Sequence, residues 1–149
     1  MASSVGTHHP SSTAEPSGLR RYASAGYRWL LAAFLLAGCA QIFLAGLGVF
    51  SFGDHDVPGG TSAFDAHRAL GFGLGGAAVI IFVLALIARP GAAPVVLSGV
   101  LVVQTTVLQS LLAGLADNTA LYGGLHALDG LLILGIAGGL YAASRRRRA

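Results

Sequence analysis

Lysine is missing from this chain altogether, cysteine occurs once, and charged residues make up only 10% of its 149 positions. One cysteine excludes an internal disulfide and any cysteine-based metal cage. So little charge excludes an ordinary soluble domain, in which roughly a quarter of residues are charged. The single basic run, Arg145–Arg148, has the form of a nucleic-acid or nuclear-import patch. It follows an apolar stretch, however, and reads as an anchor touching anionic lipid. Nucleic acid is therefore not expected as a partner.

Apolar residues make up 54% of the chain and fall into four long stretches, 27–52, 63–88, 94–116 and 120–143. About 20 apolar residues cross a ~30 Å hydrocarbon core, so each stretch is long enough to span a bilayer. Short connections between the stretches predict an all-α, up-down-up-down four-helix transmembrane bundle over 20–143. The flanks are a disordered tail, 1–19, and a basic tail, 144–149. The Ser-, Thr- and Pro-rich first tail, which includes His8 and His9, has too little apolar surface to fold.

Arginine sets the orientation. Arg20, Arg21, Arg28, Arg89 and Arg145–Arg148 flank one side of the spans, whereas Asp54, Asp56 and Asp117 lie in the loops on the other. The bias of basic residues toward the cytoplasm predicts a multi-pass protein of a bacterial inner membrane with both termini cytoplasmic. Tyr22, Tyr27 and Trp29 join the arginines in an interfacial collar. Leu36-Ala37-Gly38-Cys39 has the form of a lipobox, but the chain beyond it stays apolar instead of becoming a polar tether, so neither lipidation nor cleavage is expected. Asp54-His55-Asp56 reads as a solvated loop. Thr61 or Ser62 is expected to cap the second span, and Asp117, Asn118 and Thr119 the fourth. Pro94 suits the first turn of the third span.

Two motifs each occur twice, in the same order. Gln41-Ile42-Phe43-Leu44-Ala45-Gly46 is echoed by Gln109-Ser110-Leu111-Leu112-Ala113-Gly114, and His67-Arg68-Ala69-Leu70-Gly71 by His126-Ala127-Leu128-Asp129-Gly130. The chain thus reads as two related helix hairpins, each with one glutamine and one histidine. Ionisable residues inside a membrane are costly and tend to be functional. His67 and His126 lie five or six residues inside parallel spans, at matched depth on diagonal helices. Two imidazoles converging there suit the axial ligation of one b-type haem. Gly71 and Gly130, four residues after each histidine, would clear a porphyrin face.

Gln41 and Gln109, expected about a turn deeper, have two readings: contacts to a histidine or ligand, and packing glue between helices. Arg68 has two as well, pairing with a haem propionate and snorkelling to water. Asp129 is open to orienting His126, pairing with an arginine or being protonated, while Tyr122 and Asp65 read as interface residues. The remaining glycines of the second and fourth spans, Gly73, Gly75, Gly76, Gly135, Gly138 and Gly139, read as sites of close helix approach. Zinc normally takes three or four protein ligands, and only two histidines converge. No chain of ionisable groups continues past Asp129, which argues against a proton pump. The residues also leave open a ligand-free reading, in which each histidine bonds only a carbonyl or a glutamine.

In Gln41–Gly46, His67-Arg68, Leu108-Gln109 and His126 the chain resembles one four-helix half of the haem A synthase family, and also small four-helix membrane proteins of actinobacterial type. The first resemblance implies His67 and His126 as axial ligands and at most one haem per chain. Haem A synthases carry an acid three positions before the first histidine, where this chain has Phe64, and many have a cysteine pair that is absent here. The resemblance therefore implies haem binding rather than catalysis on haem. Expected partners are the lipid bilayer and either a membrane redox protein or a second copy of the chain. A cofactor-free membrane scaffold is the alternative.

Overall fold

The computed structural model describes residues 18–51, 60–116 and 118–146. The expectations for His8, His9, the Asp54-His55-Asp56 loop, Asp117, Arg147 and Arg148 lie outside these residues. The described chain is an all-α bundle of four antiparallel helices, each long and apolar enough to cross a membrane. It is an integral membrane protein.

The first helix runs Gly18–Ser51 and the second Gly60–Ala88. The third runs Ala92–Val103, passes through a π-helical turn at Gln104–Leu108 and continues Gln109–Leu115. The fourth is Ala120–Arg146. The first helix starts well before Tyr27, because nothing between Gly18 and the collar breaks it and Ser24 Oγ bonds back to the Arg20 carbonyl at 2.8 Å. The second helix already includes Gly60, so Thr61 and Ser62 lie within it instead of capping it.

The remaining ends follow local chemistry. Arg89 adopts φ 50° and Gly91 φ 113°, reversing the chain across Arg89-Pro90-Gly91. Pro94 occupies the first turn of the third helix, where its missing N–H is no loss. Thr119 Oγ1 accepts from the Leu121 N–H at 3.2 Å and so caps the fourth helix.

Neighbours follow chain order around a square: first on second, second on third, third on fourth and fourth on first. Neither diagonal pair of helices packs backbone to backbone among the described residues. The buried core is displaced toward one end. It consists of Tyr27, Leu31 and Phe34 with Ala78, Ile81, Ala85, Leu101, Ile133, Ala137 and Leu140. These belong to the beginnings of the first and third helices and the ends of the second and fourth, so all lie toward the arginine-bearing end. At that end Tyr27 Oη and Ser98 Oγ also meet at 3.2 Å across the first–third diagonal, and Arg28 and Arg145 sit over the rings of Trp29 and Tyr141.

Glycine serves close packing at fewer places than expected. Leu134 closes over Gly38, and the Phe64 ring lies 2.9 Å from where a Gly48 Cβ would stand. Gly75 meets Thr106. Around Gly73, Gly76, Gly135, Gly138 and Gly139, however, the space is open, because the fourth helix packs through Ile133, Ala137 and Leu140 instead.

Candidate functional site: two histidines on a diagonal

His67 lies seven residues from the start of the second helix and His126 six from the start of the fourth, ~9–10.5 Å along each at 1.5 Å per residue. Their ring centroids are 6.1 Å apart with planes tilted by 58°. The rings thus bridge a diagonal that the helix backbones do not close.

Each histidine is held by a reciprocal clasp to the preceding helix. Gln41 Nε2 donates to the His67 carbonyl at 2.8 Å, and His67 Nδ1 lies 3.1 Å from the Gln41 carbonyl. In the second hairpin, Gln109 Nε2 donates to the His126 carbonyl at 3.0 Å and His126 Nδ1 lies 3.2 Å from the Gln109 carbonyl. A carbonyl oxygen only accepts, so each Nδ1 carries the proton and donates. In the neutral imidazole this leaves Nε2 with a free lone pair. A bond of this kind at the other ring nitrogen orients metal-ligating histidines generally.

The clasp explains the spacing of both duplicated motifs. A helical carbonyl points toward the residue four positions on, whose Cβ leans back over it. Gly71 follows His67 by four residues and Gly130 follows His126 by four, so neither histidine carbonyl is shielded by a side chain. Ala45 and Ala113 stand four residues after Gln41 and Gln109 and leave those carbonyls nearly as open. A Cβ on Gly71 would lie 3.2 Å from Gln41 Nε2, and one on Gly130 3.7 Å from Gln109 Nε2. The space beside each glycine thus holds a glutamine amide, where the sequence reading put a porphyrin face. The glutamines also lie level with the histidines, not a turn deeper, because each pair bonds in both directions at once.

The two clasps differ in one respect. Asp129, buried at 7% exposure, accepts from Gln109 Nε2 at 2.9 Å through Oδ2 and from Gln104 Nε2 at 2.7 Å through Oδ1. Among the described residues it neither hydrogen-bonds the His126 ring nor pairs with an arginine. In the first hairpin the matching position is Leu70, and the Gln41 Oε1 atom is buried without a partner.

Gln104 escaped the sequence reading for a geometric reason. Residues five apart in an α-helix lie about 140° apart around the axis, at ~100° per residue. Gln104 and Gln109 would then face different neighbours. The π-helical turn between them, closed by the Gln109 N–H on the Gln104 carbonyl, puts both on one face. The polar cluster Gln104-Thr105-Thr106 in the middle of the third span was the available signal.

The other predicted residues stand apart. Arg68 pairs with Asp65 on its own helix at 3.3 Å, and both side chains are exposed. Tyr122 is half-buried near the start of the fourth helix. Among the described residues no three His, Cys, Asp or Glu side chains converge as a metal-binding group. No protein-family model matches the chain, and no curated protein or solved structure shows significant similarity to it.

Proposed function

We propose that this integral membrane protein holds one b-type haem between His67 and His126 and serves in electron transfer or haem handling. The observation that carries the reading is the 6.1 Å separation of the two rings, with each Nδ1 engaged by a carbonyl, so that a neutral imidazole keeps its lone pair on Nε2. Two imidazoles bound in line across one metal, at ~2.0 Å from each nitrogen, have centroids roughly 6.3 Å apart. Rotation about that line is free, so a 58° tilt between the planes is compatible with it. At this end no side-chain hydrogen bond crosses the other diagonal, between the first and third helices, among the described residues.

Haem, when bound, would supply one-electron chemistry. The residues of this chain would hold and orient it: His67 and His126 as axial ligands, and Gln41 and Gln109 as the residues that fix each imidazole tautomer. The resemblance to haem A synthases points the same way. A cell-membrane location with both termini cytoplasmic accords with the arginine distribution, and the lipid bilayer, a membrane redox protein or a second copy of the chain would be its partners.

The test is optical. Protein purified from haem-replete cells is expected to show a reduced-minus-oxidised haem b spectrum that is lost in His67→Ala and His126→Ala. A wild type that stays colourless after reconstitution with haem overturns the reading. The clasps themselves favour a second reading, a cofactor-free scaffold, because they join the helices with or without an occupant. That reading expects the same two variants to lose some stability and to leave any partner complex intact.

A further inference from the structure

Asp129 is the one buried acidic side chain among the described residues. Both of its oxygens accept hydrogen bonds, Oδ1 from Gln104 Nε2 and Oδ2 from Gln109 Nε2. Acceptance at both oxygens suits a carboxylate, which has only acceptors to offer. An anion inside a bilayer is costly unless an opposite charge lies near it. None does among the described residues, where the single ion pair joins Arg68 to Asp65 on the second helix.

The carboxylate stands three residues after His126, hence on a neighbouring face of the same helix, and is tied through Gln109 to the His126 carbonyl. An opposite charge held at the level of His126 would lie about one helical turn from it, three residues along the same helix. Ferric iron in a porphyrin dianion with two neutral imidazoles carries one positive charge at its centre, and the ferrous form carries none. We propose that Asp129 is the counter-charge of the oxidised site, so that the protein binds ferric haem in preference to ferrous haem and holds the midpoint potential low. This rests on the haem reading above. Asp129 is a positioning and charge-setting residue here, touching neither ring. Gln104, brought round by the π-helical turn, keeps the carboxylate in place.

The test compares affinities for ferric and ferrous protohaem in wild type, Asp129→Asn and Gln104→Leu, with midpoint potentials by spectroelectrochemistry and helical content by circular dichroism. Asp129→Asn is expected to weaken ferric binding about tenfold with little change in ferrous binding, an upward shift of about 59 mV for a one-electron couple. Gln104→Leu removes a bond but keeps the charge, and should retain the ferric preference. Should Asp129→Asn fail to fold, Leu70→Asp places a carboxylate at the matching position after His67, and a downward shift is expected. An unchanged ferric-to-ferrous ratio in Asp129→Asn or Leu70→Asp overturns the proposal. So does an equal upward shift in Gln104→Leu, which would assign the effect to the bonds. A wild type that takes up neither form overturns the haem reading, and this inference with it.

Discussion

The two ends of the bundle are built on different principles. At the arginine-bearing end, Leu31, Phe34, Ile81 and Leu101 are fully or almost fully buried and interlock with alanines from the second and fourth helices. At the histidine end the neighbouring helices are joined by hydrogen-bonded clasps, and His67 and His126 are only half-buried. Dispersion contacts suit a region that must exclude everything, because they improve as gaps close. Directional bonds can hold helices at a set spacing while leaving two rings facing each other. The difference separates an end closed by packing from an end joined by directional hydrogen bonds.

Mutations at the two ends should therefore have different consequences. The largest stability loss is expected for Phe34→Ala, which opens a cavity in the interlocked end at a cost of about 3–5 kcal/mol. Measured by denaturant titration in detergent, it should lower stability, and on the proposed haem reading folded protein should keep its pigment. Loss of pigment from folded Phe34→Ala would mean that the two ends are not separable.

Gln109→Leu comes next, at about 1–3 kcal/mol, because it leaves one oxygen of the buried Asp129 without a donor. Gln41→Leu tests the matching clasp without such an acid and should cost about 0.6–1.7 kcal/mol, the range of a single interhelical bond in a membrane. Equal losses in the two glutamine variants would show that Asp129 adds nothing to the second clasp. Gly71→Ala should have a smaller effect, below about 1 kcal/mol, by crowding the Gln41 amide at 3.2 Å. The matching Gly130→Ala meets Gln109 at an ordinary 3.7 Å and is expected to be close to neutral. A His67→Ala spectrum recorded alongside would show whether loosening a clasp and removing a ligand are distinguishable events.

Much of this architecture could be read from residue order. The four apolar runs marked the helices, and the turn at Arg89-Pro90-Gly91 and the cap at Thr119 follow from local backbone chemistry. The pairing of Gln41 with His67 and of Gln109 with His126 was foreshadowed by their duplication, although its atomic form was not. The bonds run from each side chain to the partner's backbone carbonyl, and small residues four positions on make room for them. Gln104 was not legible, because α-helical periodicity turns it away from Gln109 and only the π-helical turn brings it back. Most glycines misled for the opposite reason. They are abundant on the second and fourth helices, but the packed faces lie elsewhere.

Apolar runs and their punctuation are local properties, and lipid enforces them residue by residue; they were enough to dictate a four-helix membrane bundle with two histidines at matched depth. The distance between those rings, the tautomer of each, and the hold of two amides on Asp129 depend on how separate helices rotate and settle against one another. Such angles are the joint outcome of contacts along the whole bundle, and no single stretch of chain contains them.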